Sequence, residues 1–152
     1  MKKVLVAYFS TGGTTQSMAE FIAEGVRFSG QQAITRQISE IKDAAELAGY
    51  DGYIFGSPTY SLDLPPPMKS FLLMVDQAGL DGKLAGTFGS YTHEVSYKHD
   101  AHAPAIIFEK LRGSKMELFK LGPFALREDL MKTRKGMKAC QDYGKIFGEQ
   151  LG

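Results

Sequence analysis

The sequence has 152 residues, of which 43% are hydrophobic and 23% are charged. This length and composition suit one globular domain over residues 1–152 with a single core, and leave too little chain for two ordinary domains. The apolar run at residues 4–9 is far shorter than the roughly 18 residues of a membrane span, and no signal-peptide cleavage pattern accompanies it. We therefore expect a mature cytoplasmic protein with no membrane span.

The cysteine count and the net charge exclude further classes. One cysteine, Cys140, cannot form an intrachain disulfide or an iron–sulfur or cysteine-based metal cluster. The net charge is only +1. The basic residues near the C-terminus fall in a helical pattern, which is typical of a solvated helix face, so we expect no nucleic-acid partner.

The first half of the chain alternates strand and helix patterns. Residues 2–9 form a short apolar run, as expected for a strand buried on both faces. A helix follows, because apolar side chains recur on one stripe. Residues 33–38 predict a more polar strand at a sheet edge, and residues 53–55 predict a third strand. The helical stripe comprises Met18, Ala19, Ile22, Ala23 and Val26.

The second half continues the alternation. The prolines at 65–67 predict the start of a helix, since proline is tolerated in a first turn. Residues 83–88 predict the fourth strand, a short helix opens at Pro104, and residues 116–121 predict the fifth strand. A last helix is expected to begin near residues 127–129, where acidic side chains suit the positive helix end. Its core positions are predicted to be Leu130, Met137, Cys140 and Phe147.

Five strands that alternate with four helices predict an α/β fold. Right-handed crossovers would give a doubly wound, three-layer domain with a parallel sheet covered on both sides. Ligands of such folds bind beyond the carboxyl ends of the strands. We therefore expect the functional residues to lie in the loops that follow the first, third and fourth strands.

The loop after the first strand is Ser10-Thr11-Gly12-Gly13-Thr14-Thr15. It has four hydroxyls, two glycines and no acid, and leads into a helix start that favours an anion. It lacks the Gly-Lys-Ser/Thr ending of nucleoside-triphosphate loops and the three-glycine dinucleotide pattern. Hydroxyls and backbone amides alone suit a monophosphate; the alternative is a plain Ser/Thr-rich helix cap.

Two further loops place a tyrosine just beyond a strand. Residues 56–65 contain Tyr60, and residues 89–93, continuing through Tyr97, contain Tyr91. Two aromatic rings could flank one flat ligand, although each tyrosine alone also suits plain packing or the surface. A planar ring together with a phosphate describes flavin mononucleotide (FMN).

These loops resemble those of the flavodoxin family. Tyr8-Phe9-Ser10-Thr11-Gly12-Gly13-Thr14-Thr15 is similar to the flavodoxin phosphate loop, usually Tyr-Phe-Ser-x-Thr-Gly-Asn-Thr, with glycine and threonine at positions 12 and 14 in place of the usual threonine and asparagine. Gly56-Ser57-Pro58-Thr59-Tyr60 and Phe88-Gly89-Ser90-Tyr91 resemble the two flavin loops, most closely in the flavodoxin domains of flavodiiron proteins. The resemblance covers the whole chain.

The resemblance implies a flavodoxin-like sheet of order 2-1-3-4-5 and noncovalently bound FMN. The phosphate would contact Ser10, Thr11, Gly12, Gly13, Thr14 and Thr15. One side of the flavin ring would contact Pro58, Thr59, Tyr60 and Ser61, and the other side Gly89, Ser90 and Tyr91. Two further candidates are His93 and Tyr97.

The resemblance also implies a redox protein that transfers electrons between protein partners, a reductase and an acceptor. Two features depart from classical flavodoxins: the charge is +1 rather than strongly negative, and residues 59–63 contain no glycine that could turn its peptide toward the reduced ring. The sequence contains no di-iron domain like the one that precedes this module in flavodiiron proteins. We therefore expect the redox partners to be separate molecules.

Two alternatives compete with the electron carrier. One is an FMN-dependent NAD(P)H:quinone oxidoreductase or FMN reductase, in which residues 91–97 seat a second planar substrate. The other is a non-flavin receiver-type signalling module, which needs carboxylates after the first and third strands. Phe9-Ser10 and Gly56-Ser57 lie there instead, so this alternative ranks last.

The loop between the fourth strand and the third helix carries all three histidines. A metal site is conceivable from these residues, but the spacing matches no standard pattern, so we expect no metal. An exposed loop that covers the flavin or meets a second subunit of a homodimer is the simpler interpretation. The candidate ligands are His93, Glu94, His99, Asp100 and His102.

Overall fold

A computed structural model of the chain describes residues 1–60, 63–92 and 102–152. Within these ranges one parallel five-stranded sheet has the order β2-β1-β3-β4-β5. The strands are β1 (Lys3–Tyr8), β2 (Gln32–Gln37), β3 (Gly52–Pro58), β4 (Leu84–Tyr91) and β5 (Glu117–Arg127). The helices are α1 (Thr14–Phe28), α2 (Pro66–Ala78), α3 (Ala103–Gly113) and α4 (Arg134–Leu151). The predicted fold class and strand order are confirmed.

The sheet is covered on both faces, as the apolar pattern of β1 predicts. Val4 and Val6 belong to the core shared with α1 and α4. Leu5 and Ala7 belong to the core shared with α2 and α3. Alternating side chains of one strand thus fill two hydrophobic layers, which fixes β1 at the centre of the fold. Strand β2 pairs only with β1 at the edge, in agreement with its polar sequence.

The start of the last helix differs from the sequence-based expectation. Strand β5 continues to Arg127, a 3-10 turn covers Glu128–Lys132, and α4 begins only at Arg134. The Thr133 hydroxyl accepts a hydrogen bond from the Gly136 amide at 3.1 Å and caps α4, so the helix begins after the acidic residues that were expected to lie at its positive end. Leu130 lies in the 3-10 turn with 38% exposure, so its prediction as a core residue is wrong.

Tyr143 of α4 explains how β5 extends past its predicted end. The register between β4 and β5 shifts between Ala85 and Thr87. At this shift the Tyr143 hydroxyl accepts from the Thr87 amide at 3.1 Å and lies 2.9 Å from the Gly122 carbonyl oxygen. The hydroxyl thus bonds to backbone groups of both strands at the irregularity, which supports the pairing that resumes beyond it. Burial raises the pKa of this phenol, which keeps its proton available for donation.

Glycines let α4 approach α1 closely. A Cβ at Gly144 would lie 1.9 Å from the Ile22 carbonyl oxygen, and one at Gly25 would lie 1.9 Å from the Gln141 carbonyl oxygen. At both positions the glycine therefore admits backbone of the other helix rather than a side chain of the sheet. Cys140 is fully buried between these layers, and desolvation raises the pKa of its thiol to about 12, as suits a core residue.

We expect Gly144→Ala to lower the free energy of unfolding by about 1–3 kcal/mol, because its Cβ overlaps backbone that cannot move without separating the helices. Gly113→Ala is the matched control, since a Cβ at that helix end meets no atom within 4 Å. Urea unfolding monitored by circular dichroism measures both. Equal stability of the two variants would contradict the close helix contact.

Candidate functional site

Three loops meet beyond the carboxyl ends of β1, β3 and β4 and line an open cavity of about 530 Å³. This volume lies within the range of roughly 300–1,000 Å³ that is usual for small-molecule sites. The lining residues are Ser10, Thr11, Gly12, Thr14, Thr15, Pro58, Thr59, Tyr60, Ser90, Tyr91, Thr92 and Glu128. The cavity lies where a doubly wound sheet is expected to bind its ligand.

The loop between β1 and α1 presents unpaired backbone donors. The first bond of α1 runs from the Ser17 amide to the Gly13 carbonyl oxygen at 3.0 Å, so the amides of Thr14 and Thr15 precede the helical hydrogen bonding. Gly13 has a left-handed φ of 90°, and its amide donates to the Ser10 hydroxyl at 3.1 Å. The first turn of α1 contains no acidic residue. The helix dipole therefore favours an anion at this end.

Hydrogen bonds tie the three loops to one another. The hydroxyls of Thr11 and Tyr60 share a bond of 2.9 Å, which joins the first loop to the second. The buried hydroxyls of Thr15 and Ser90 lie 3.3 Å apart and join the first loop to the third. The Thr59 amide donates to the Ser90 carbonyl oxygen at 3.0 Å and joins the second to the third. The cavity walls are thus positioned by one network.

The second loop holds Tyr60 at the cavity mouth, with 40% of its surface exposed. Its backbone pairs with that of Asp63 in both directions, at 2.8 and 2.9 Å. The Asp63 carboxylate accepts from Lys69 at 2.7 Å and from the Leu64 amide at 2.7 Å. The hydrogen bond from Lys69, followed by that from Leu64, lowers the pKa of Asp63. The carboxylate therefore stays charged and keeps anchoring the loop in mildly acidic solution.

Tyr91, on the other side, stacks on His102. Their ring centroids lie 4.1 Å apart with an interplanar angle of 16°. One face of Tyr91 is therefore covered by a buried imidazole at the start of α3, which fixes the ring's orientation. His102 thus supports a cavity wall. Of the other histidine-loop candidates for metal binding, none lies within the described residues, and the described residues contain no group of three suitable ligands.

Most of the predicted site residues line this cavity. Gly13 sets the left-handed turn of the first loop, and Gly89 of the third loop packs against β3, where a Cβ would lie 2.2 Å from the Ser57 carbonyl oxygen. The predicted residues Ser61, His93 and Tyr97 lie outside the described ranges.

Sequence reasoning missed two lining residues, Thr92 and Glu128. Thr92 directly follows Tyr91, so its place just beyond the fourth strand also indicated a site residue. Glu128 was assigned to the start of the last helix, so its place at the cavity depends on the unpredicted extension of β5. It is the one carboxylate in the cavity lining that the structure describes. Asp51 lies at the opposite end of β3, where it accepts from the Lys3 amide, so the carboxylates that a receiver module needs are not gathered here.

A family model described as "Flavodoxin domain" matches residues 5–120, more than half of the chain. The chain belongs to the flavodoxin family. A protein named diflavin flavoprotein A 4, from Synechocystis sp., is 30% identical over 98% of this chain and 24% of its own length. An NAD(P)H dehydrogenase (quinone) of Cupriavidus metallidurans is 34% identical over 59% of this chain and 57% of its own length. The chain therefore spans less than two thirds of either curated relative.

A solved structure that matches nearly the whole chain supports the same family assignment. Oxidised flavodoxin 2 from Bacillus cereus superposes with a TM-score of 0.83 and 27% identity, covering 97% of this chain and 99% of the other. The flavodoxin assignment accounts for the parallel sheet and for a cavity at its carboxyl edge. Within the described parts of the chain, no helix has the length and apolar character required to cross a bilayer.

FMN is the cofactor of flavodoxin domains, and the chemistry of this cavity fits it. The N-terminal start of α1 and the loop before it supply amides and hydroxyls but no cationic side chain, which suits a monophosphate. A Cβ at Gly12 would meet no protein atom within 4 Å, so the loop leaves open space beside its backbone. Tyr60 and Tyr91 supply aromatic surface to the same cavity.

The two loop glycines have different structural requirements, which predicts different effects of substitution. Gly13→Ala forces a left-handed φ on a residue with a Cβ and should lower the free energy of unfolding by about 1 kcal/mol. Gly12→Ala has an ordinary φ and open space, so it should change stability by less than about 0.5 kcal/mol. Thermal unfolding of both variants tests this; equal destabilisation would show that the loop has another conformation.

Proposed function

We propose that this chain binds FMN noncovalently in the cavity and transfers electrons between separate protein partners, a reductase and an acceptor. The observation that carries the proposal is the hydrogen-bond network that brings the three loops around one cavity. An anion-binding helix end and two tyrosines lie on these loops, which is the combination that a phosphate and a flat ring require.

The residues of the first loop would hold the phosphate. The backbone amides of Thr14 and Thr15 and the hydroxyls of Ser10 and Thr11 are the proposed donors, and Gly12 lets the phosphate approach the backbone. Gly13 holds the turn that directs the amides outward. These roles follow from the backbone donors at the start of α1 and from the left-handed turn before it.

The second and third loops would hold the ring. Pro58, Thr59 and Tyr60 would contact one side of the ring, with Ser61 expected there from the sequence. Gly89, Ser90 and Tyr91 would contact the other side, with His93 and Tyr97 as further sequence-based candidates. These residues would orient the ring and exclude water from its faces. FMN, when bound, supplies the redox chemistry, which proceeds by uptake and release of one or two electrons.

The electron-carrier assignment is supported by the full-length similarity to a flavodoxin, in which each chain covers nearly all of the other. We accordingly propose that residues 1–152 act as a single FMN-binding domain. The low net charge, +1, favours no strongly basic partner of the kind that acidic flavodoxins attract. The cytoplasmic location and a homodimer stay predictions from the sequence.

A second candidate function is an FMN-dependent NAD(P)H:quinone oxidoreductase or FMN reductase. It is favoured by the 34% identity to a protein named NAD(P)H dehydrogenase (quinone). The 40% exposure of Tyr60 at an open cavity mouth also leaves aromatic surface that a second planar molecule could contact. The chain spans 57% of that relative, so the activity is a proposal for this chain and not a property transferred from it.

Anaerobic reductive titration of the FMN-reconstituted protein separates the two functions. For the carrier we expect a one-to-one flavin complex that is reduced in two resolved one-electron steps and consumes NAD(P)H only when a reductase is added. Steady NAD(P)H oxidation with a quinone and no protein partner would favour the oxidoreductase. Failure of the folded protein to bind FMN would contradict both functions.

A further inference from the structure

We propose that Glu128 limits the affinity of this chain for FMN by placing a negative charge beside the phosphate loop. The inference rests on the proposed function and adds a residue that opposes the cofactor's phosphate. It predicts that Glu128 reduces the discrimination between FMN and riboflavin, which lacks the phosphate. Glu128 would thereby act as a determinant of cofactor specificity and exchange.

The position of Glu128 follows from contacts in the structure. The Thr14 hydroxyl, at the first residue of α1, donates to Glu128 Oε1 at 3.1 Å. Glu128 and Thr14 also line the same cavity, together with Gly12. A carboxylate oxygen therefore bonds to the very turn whose free amides favour an anion.

The end of β5 fixes this arrangement. Arg127, the last residue of β5, is in register with Tyr91 of β4, so Glu128 begins its 3-10 turn at the cavity edge. Asp129, the next residue, is bonded to Arg127 at 2.7 Å instead of to the phosphate loop. Two adjacent acidic residues thus differ in their relation to the site, which provides an internal control.

The charge balance around the loop gives the effect its sign. Among the described residues that line the cavity, none is lysine or arginine. Lys132 does not line the cavity; it lines two neighbouring hollows together with Glu128, one of which also includes Gly12, Gly13 and Thr14. A phosphate entering the loop meets helix amides, which attract it, and the Glu128 carboxylate, which repels it.

The bound phosphate must be accommodated with Glu128 in one of two ways. If the carboxylate stays, it repels the phosphate; if it turns away, it gives up the hydrogen bond from Thr14. Both cost binding free energy. For water-exposed charges a few ångströms apart, repulsion of this kind corresponds to about a three- to tenfold change in an equilibrium constant. Riboflavin has no charge in the loop and avoids most of this cost.

The test compares dissociation constants of FMN and riboflavin for the wild-type chain, Glu128→Gln and Asp129→Asn, measured by flavin fluorescence. Glutamine keeps an oxygen that can accept from Thr14 but removes the charge. We expect Glu128→Gln to tighten FMN binding about three- to tenfold and to change riboflavin binding less than about twofold. Asp129→Asn should leave both constants within about twofold of the wild type.

Each other outcome overturns the inference. Unchanged FMN binding in Glu128→Gln would show that the carboxylate does not act on the phosphate. Equal tightening of FMN and riboflavin would place the effect away from the phosphate, and equal tightening by Asp129→Asn would make it a general charge effect. The wild-type data alone test the proposed function. That function fails if the wild-type chain does not bind FMN, whether or not it binds riboflavin.

Discussion

The contact between the hydroxyls of Thr15 and Ser90 links the start of α1 to the end of β4 inside the protein. Both residues are almost fully buried, so neither hydroxyl can exchange its partner for water at little cost. The same serine accepts from the Thr59 amide through its backbone. One position on β4 therefore sets the spacing of all three loops. The cavity depends on this spacing more than on any single lining residue.

The fold supports that contact from behind. Helix α1 is held against α4 by glycines that admit backbone contact, so the direction in which its first amides point is fixed by packing across the length of the helix. Close-packed protein interiors resist small shifts of one helix against another. A site that binds an anion through backbone amides needs such rigidity, because amides have no side-chain freedom with which to follow a displaced ligand.

Much of this arrangement is readable from the sequence, since it depends on local patterns. The apolar run of β1, the loop at residues 10–15 and the stripe of α1 follow one another, and each constrains its neighbour. The predicted strand ends locate the two tyrosine loops, the flavodoxin resemblance assigns them to the flavin ring, and the structure brings their described residues to the same cavity as the first loop. In this part of the chain the local sequence patterns and the overall fold favour the same structure.

The C-terminal part of the site could not be predicted in the same way. The acidic pair Glu128-Asp129 resembles the start of a helix, and nothing in the local sequence shows that Tyr143, far along the chain, contacts β4 and β5 at their register shift. The position of Glu128 follows from that tertiary contact. Ser61, His93 and Tyr97 lie outside the described residues and stay predictions from the sequence.

The central claim is that the loops after β1, β3 and β4 form one FMN site. Backbone amide resonances followed by NMR during titration of the whole chain with FMN test it most directly. The account predicts saturable shifts concentrated at residues 10–15, 58–60 and 89–92, with small changes along the outer surface of α4. Shifts confined to one of the three loops, or concentrated on the α1–α4 surface, would contradict it.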